Sequence, residues 1–160
     1  MSVSNLRQIY LSLAYPHLLY CSAIWGGAHK TYLNPLVVAQ KKLVRIMSQS
    51  DYRQHTSPIF RQHHLLKLHD IFSLQTSMFV FKSVNNLHPI ETGFQIINHS
   101  ITTRGVNDLL RIPQCRTSHA QQSVISRGSR SWNSFPSEIR QCATLNSLKR
   151  AVKKLFLDQY

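Results

Sequence analysis

Residues 32–47 read YLNPLVVAQKKLVRIM, and the spacing of their apolar side chains decides the class of fold. Leu33, Leu36, Val37, Gln40, Val44 and Met47 recur every three or four positions, which lines them along one face of an α-helix. Lys41, Lys42 and Arg45 fall on the other surface. Pro35 lies in the first turn, where a missing N–H does no harm, and Thr31 is the expected cap. A helix of this kind is stable only when its apolar stripe is buried against other elements, so a mainly α fold is expected.

The pattern continues on both sides. Upstream, Leu6, Ile9, Leu13, Tyr20 and Ile24 repeat at helical spacing, with Pro16 expected to kink the segment and Gly26-Gly27 to end it. Downstream, Ser57-Pro58 reads as the cap and first residue of a short helix to about His63. The stretch from about His69 to Val84 carries a wide apolar face of Ile71, Phe72, Leu74, Met78, Phe79 and Phe81, as a buried helix would. Residues 1–89 are therefore expected to form a helical bundle. Residues 90–108, rich in Asn, Ser and Thr, read as a linker. Residues 109–160 read as a small basic α+β module. There Leu109–Ile112 and Ser123–Ile125 are strand candidates for one short hairpin, a helical stretch carries Trp132, and Pro136 opens another. Thr144 should cap a final helix from about Leu145 to Leu157 that turns Leu145, Leu148, Val152, Leu155 and Phe156 inward.

Charge points to the partner. Nineteen Lys and Arg face six Asp and Glu among 160 residues, a net charge of +13. A field of that sign attracts polyanions, nucleic acid first. Lys149, Arg150, Lys153 and Lys154 repeat on the last helix the stripe formed by Lys41, Lys42 and Arg45. Arg104, Arg111, Arg116, Arg127 and Arg130 lie between, and the planar guanidinium fork suits phosphate oxygens. These twelve residues are the expected contacts to an RNA or DNA backbone. Trp25 and Trp132 are better read as core anchors beside turns than as platforms for bases.

Most enzyme classes find no footing. Two-metal polymerases and nucleases need clustered carboxylates. Here Asp51, Asp70, Glu91, Asp108, Glu138 and Asp158 are nowhere closer than the 17 positions between residues 91 and 108. No glycine-rich phosphate loop and no serine-nucleophile elbow is present. His55, His63, His64 and His69 cluster, and Cys115 and His119 form a CxxxH pair, but neither spacing builds a four-ligand metal site. No catalytic residue, metal or cofactor is expected. Cys21, Cys115 and Cys142 lie far apart without a CxxC pair, which suits reduced thiols. The apolar runs fall short of the ~20 residues a membrane span needs. An intracellular protein of nucleus or cytoplasm, without membrane contact, is the expectation.

Several clusters, in order, resemble the C-terminal (thumb and post-thumb) part of a non-LTR, LINE-type (jockey-like) retrotransposon reverse transcriptase. They begin with Tyr15-Pro16-His17-Leu18-Leu19-Tyr20, then Ile24-Trp25-Gly26. Next come PLVVAQKKLVRI at 35–46, Ser57-Pro58-Ile59-Phe60, and Leu65-Leu66-Lys67-Leu68-His69-Asp70-Ile71. Thr102-Thr103-Arg104, Leu110-Arg111-Ile112-Pro113, the run WNSFPSEIR at 132–140 and Leu148-Lys149-Arg150 complete the series. The resemblance implies a parent RNA-directed DNA polymerase whose thumb grips the template–primer duplex. It also implies that the catalytic aspartates, in a YxDD-type motif of the palm, lie outside this chain, so that the missing palm and fingers are a natural partner. His63-His64 and His119 depart from the family's usual residues, and no Cys/His knuckle is present. The rival expectation is a protein-interaction or structural remnant of a mobile element, in which the apolar face of the first helix docks a partner.

Overall fold

The structure is a computed structural model that describes residues 2–89, 92–97 and 109–160. Helices dominate it. The first, α1 (Val3–Ile9), opens where the Ser2 hydroxyl accepts the Asn5 N–H. A π-helical turn, Tyr10–Ala14, joins it to α2 (Tyr15–Leu19). Pro16 explains that turn. Its ring crowds the carbonyl four positions back and offers no N–H, and a wider turn, in which the Tyr15 N–H reaches the Tyr10 carbonyl, absorbs the clash. The expected kink at Pro16 is thus a widened turn. The break comes later, at left-handed Cys21 (φ 48°), before α3 (Ser22–Trp25).

The decisive helix, α4 (Lys30–Met47), starts slightly earlier than its apolar period suggests. His29 caps it by accepting the Thr31 N–H, so Thr31 is not the cap. Leu33, Gln40, Val44 and Met47 are buried as the spacing requires, while Leu36 is partly exposed. In α5 (Ser57–Gln62) the first helical residue is Ser57 and Thr56 precedes it. Helix α6 (Leu68–Val84) buries Ile71, Phe72, Leu74, Val80 and Phe81. Then follow α7 (Ser118–Gln121), α8 (Val124–Ser134), α9 (Ser137–Arg140) and α10 (Leu145–Asp158). The Thr144 hydroxyl accepts the Ser147 N–H and caps α10 as expected.

The chain forms two compact units, 1–72 with 153–160, and 73–152. The boundary expected near residue 89 lies inside the second of them. The first unit is built on Tyr10, Val44, Met47, Ile59, Phe60 and Leu65, with Leu6, Leu11, Ala14, Tyr15 and Tyr160 packed around them. The second buries Leu110, Trp132, Phe135, Ile139, Leu148 and Val152. Within it Gly128 lets α8 approach closely: a Cβ there would stand 3.0 Å from Val80 Cγ2 and 3.1 Å from Phe94.

The expected hairpin of Leu109–Ile112 and Ser123–Ile125 does not form. Leu110 makes a single antiparallel bridge with Ile96, and Ser123 is the N-cap of α8, its hydroxyl accepting the Ser126 N–H. The other edge of Leu110 is closed by the Asn133 amide, which accepts the Leu110 N–H at 2.9 Å and donates to its carbonyl at 2.8 Å. Both backbone groups are satisfied by one side chain, so no further strand is needed there. The module expected to be α+β therefore consists, among the described residues, of helices and loops, with that bridge in place of a hairpin.

The run WNSFPSEIR is the device that turns α8 into α9. Trp132, Phe135 and Ile139 are buried, Asn133 clamps Leu110, and Arg140 Nη1 donates to the Phe135 carbonyl at 3.2 Å. Its residues hold a helical corner together.

Candidate nucleic-acid interface

The rotation of α4 about its axis is set from the inside. Buried Gln40 donates through Nε2 to Tyr10 Oη at 3.0 Å and to the Leu66 carbonyl at 3.0 Å. With that side chain held, Lys41 and Lys42 stand in solvent, and Arg45 is half-buried at the edge of the same surface. No acidic residue occurs between Lys30 and Met47, so no neighbour on the helix neutralises the stripe.

Two further basic positions belong with it. Lys30, exposed, precedes Lys41 by eleven positions, three helical turns, and so shares its edge. The apolar period hid it, because it starts the helix after Lys30. Arg45 Nε donates to the Gln54 carbonyl at 3.0 Å and thereby ties the loop after α4 to the helix. On that loop the Asp51 carboxylate accepts the Arg53 N–H at 2.9 Å, and the Arg53 guanidinium lies 5.2 Å from the Tyr52 ring centroid. An exposed aromatic ring beside a cation has no periodic signal in a sequence.

Helix α10 presents Lys149, Arg150 and Lys154 to solvent, with Lys153 half-buried, and its only acid is Asp158 in the last turn. Arg111 and Arg116 are exposed outside the helices. Arg104 lies outside the described residues.

Arg127 and Arg130 sit differently from the lysines of α4. Helix α8 packs on small residues, burying Ser126, Gly128 and Ser129, and this draws Arg127 in while Arg130 stays exposed. Arg127 is half-buried, and burial pushes its guanidinium pKa down. Arg130 spans α8 and the end of α7, donating to the Gln121 carbonyl, to Ser126 Oγ at 3.1 Å and to the Ser126 carbonyl at 3.2 Å. Its Nε and one terminal nitrogen are thus bonded to protein acceptors, although the side chain is exposed.

The two tryptophans serve the interior. Trp132 is buried, and Trp25 packs edge-on to Phe72 at 4.7 Å. His63 and His64 stand at the end of α5. His64 adopts φ 52° just past α5, where the Leu65 N–H returns to the Phe60 carbonyl, a left-handed helix stop without glycine. His63 is held below its ordinary pKa by burial, and then by Arg7 and His64. Among the described residues no three His, Cys, Asp or Glu side chains come together to hold a metal ion. Asp70, the most enclosed carboxylate among them, accepts the Tyr160 hydroxyl. Among the described residues no helix is long and apolar enough to cross a membrane.

What the arrangement can do is electrostatic. Exposed ammonium and guanidinium groups on a rigid helix can neutralise successive phosphates without reading bases. Comparison with protein-family models, with curated proteins and with solved structures gives no match.

Proposed function

We propose that the chain is a non-catalytic gripping module that holds a nucleic-acid backbone, the thumb and post-thumb portion of a non-LTR retrotransposon reverse transcriptase. One observation carries the reading: the exposed edge of α4 bears Lys30, Lys41, Lys42 and Arg45 with no acid on the helix, opposite a face locked in place by Gln40. The α10 stripe of Lys149, Arg150 and Lys154 adds a second set of phosphate contacts. The family reading is supported by the order of the sequence clusters quoted above. In that reading the palm supplies the chemistry and this chain supplies salt-dependent affinity for a template–primer or target duplex. The test is electrophoretic mobility of a labelled duplex over a salt series. Affinity should fall steeply and linearly in log–log form as salt rises. No shift at low salt would overturn the proposal.

A second reading rests on Ile9, Leu13, Tyr20 and Ile24, all exposed along the first helices. In it this face docks a protein such as the missing palm. In primer extension the chain alone should incorporate no nucleotide under either reading.

A further inference from the structure

Helix α4 has a second exposed edge whose chemistry differs from the first. Tyr32, Leu36, Leu43 and Ile46 are 77%, 37%, 43% and 65% exposed, and Ala39 is exposed between them. Positions 32, 36, 39, 43 and 46 are spaced four, three, four and three, the alternation of a heptad seam. The buried set of the same helix, Leu33, Gln40, Val44 and Met47, is a different stripe, already covered within the first unit. A run of apolar side chains at knob spacing over four turns is what a second helix packs against, whereas scattered surface apolars lack such order.

Charge says which helix. Lys42 occupies the position flanking Leu43 from which coiled-coil partners are selected, and the opposite flank is closed by buried Gln40 and Met47. Two copies of this chain, each at +13, would repel. We infer that the Tyr32–Ile46 seam of α4 docks one amphipathic helix of another protein, with apolar residues at the seam positions and carboxylates beside them. Lys42 then selects the partner by its sign, while Leu36, Leu43 and Ile46 supply the contact.

The probe is a fluorescent peptide of about three heptads with Leu at the seam positions and Glu at the flanks. The controls are the same composition scrambled and the same seam flanked by Lys. Anisotropy with the full chain should show saturable binding of the Glu-flanked peptide alone. Leu43→Gln with Ile46→Gln should weaken it by about tenfold or more. Both positions are solvent-facing, and unchanged circular dichroism of the pair verifies that the fold survives. Lys42→Gln should narrow the preference for Glu over Lys flanks. Equal binding of the scrambled peptide would reduce the effect to bulk charge and overturn the inference. So would an unaffected double variant, or a chain that dimerises through this seam without peptide.

Discussion

Gln40 and Tyr10 are joined by a buried hydrogen bond of 3.0 Å, side chain to side chain, between α4 and the π turn of the first helical segment. The same amide nitrogen reaches the Leu66 carbonyl, so one polar residue in an apolar stripe fixes the helix against two neighbours. Removing it strands two buried oxygens. Gln40→Leu should lower stability by about 1–3 kcal/mol, and a double-mutant cycle with Tyr10→Phe should show that part of the loss is shared. Urea unfolding of the four proteins measures both. Additive losses would mean that the bond contributes nothing.

Arg130 was expected to hold phosphate, and its bonds to Gln121 and Ser126 give it another role. Arg130→Ala should lower the melting temperature slightly, the cost being about 1 kcal/mol because the side chain is exposed. The salt dependence of duplex binding should stay as in the unaltered chain. A large fall in the salt slope would return Arg130 to the interface.

His64 sits at φ 52° without being glycine, as do Gln49 at φ 53° and Asn86 at φ 54°. Each follows the end of a long or short helix, and each is bracketed by a return bond, such as Ser50 N–H to the Arg45 carbonyl at 3.0 Å. A Cβ in the left-handed region costs about 1–2 kcal/mol. His64→Gly should therefore raise the unfolding midpoint, with a gain on the order of 1 kcal/mol after the entropy of the unfolded glycine is subtracted. A drop in midpoint would show that the imidazole contributes more than its backbone strain.

Asp70 is raised above the ordinary aspartate value, burial outweighing the opposing effects of the Tyr160 hydroxyl, Lys67 and His69. A raised folded-state pKa means that the folded chain holds the proton more tightly than the unfolded one. The stabilisation from this group is thus complete below the unfolded value near 3.8 and is lost as pH rises through the folded value. Asp70→Asn keeps an acceptor for Tyr160 and removes the titration. Relative to the unaltered chain, the variant should gain stability as pH climbs above the unfolded value near 3.8 and level off once pH passes the folded value, read by thermal unfolding at each pH. A stability difference that does not change with pH would contradict the assignment.

Much of the helical architecture was legible in the residues. The period of α4 and α6, and the Thr144 cap of α10, depend on local spacing alone, which is why they could be read. Helix starts were less legible than ends: α4 begins at Lys30, before its apolar period, while α4, α5 and α6 end at Met47, Gln62 and Val84, at or within one residue of the expected ends. The hairpin misled because Val124 and Ile125 favour strands, yet Ser123 caps a helix and Asn133, far off in sequence, satisfies Leu110. On the candidate interface, Lys41 and Lys42 followed from helical spacing. The partial burial of Arg127 could not be read that way, because it depends on how closely the serines and glycine of α8 let the helix pack, nor could the bonds that exposed Arg130 makes to Gln121 and Ser126. Lys30 was missed through one shifted boundary.

The account stands on the exposed lysines of α4 acting as phosphate contacts. The direct measurement is the salt dependence of duplex affinity for the unaltered chain and for Lys41→Ala with Lys42→Ala. Each lost contact should reduce the log–log slope by about 0.9, so the double variant should bind more weakly and fall in slope by about 2, whatever the duplex sequence. A double variant that keeps both the affinity and the slope of the unaltered chain would contradict the account.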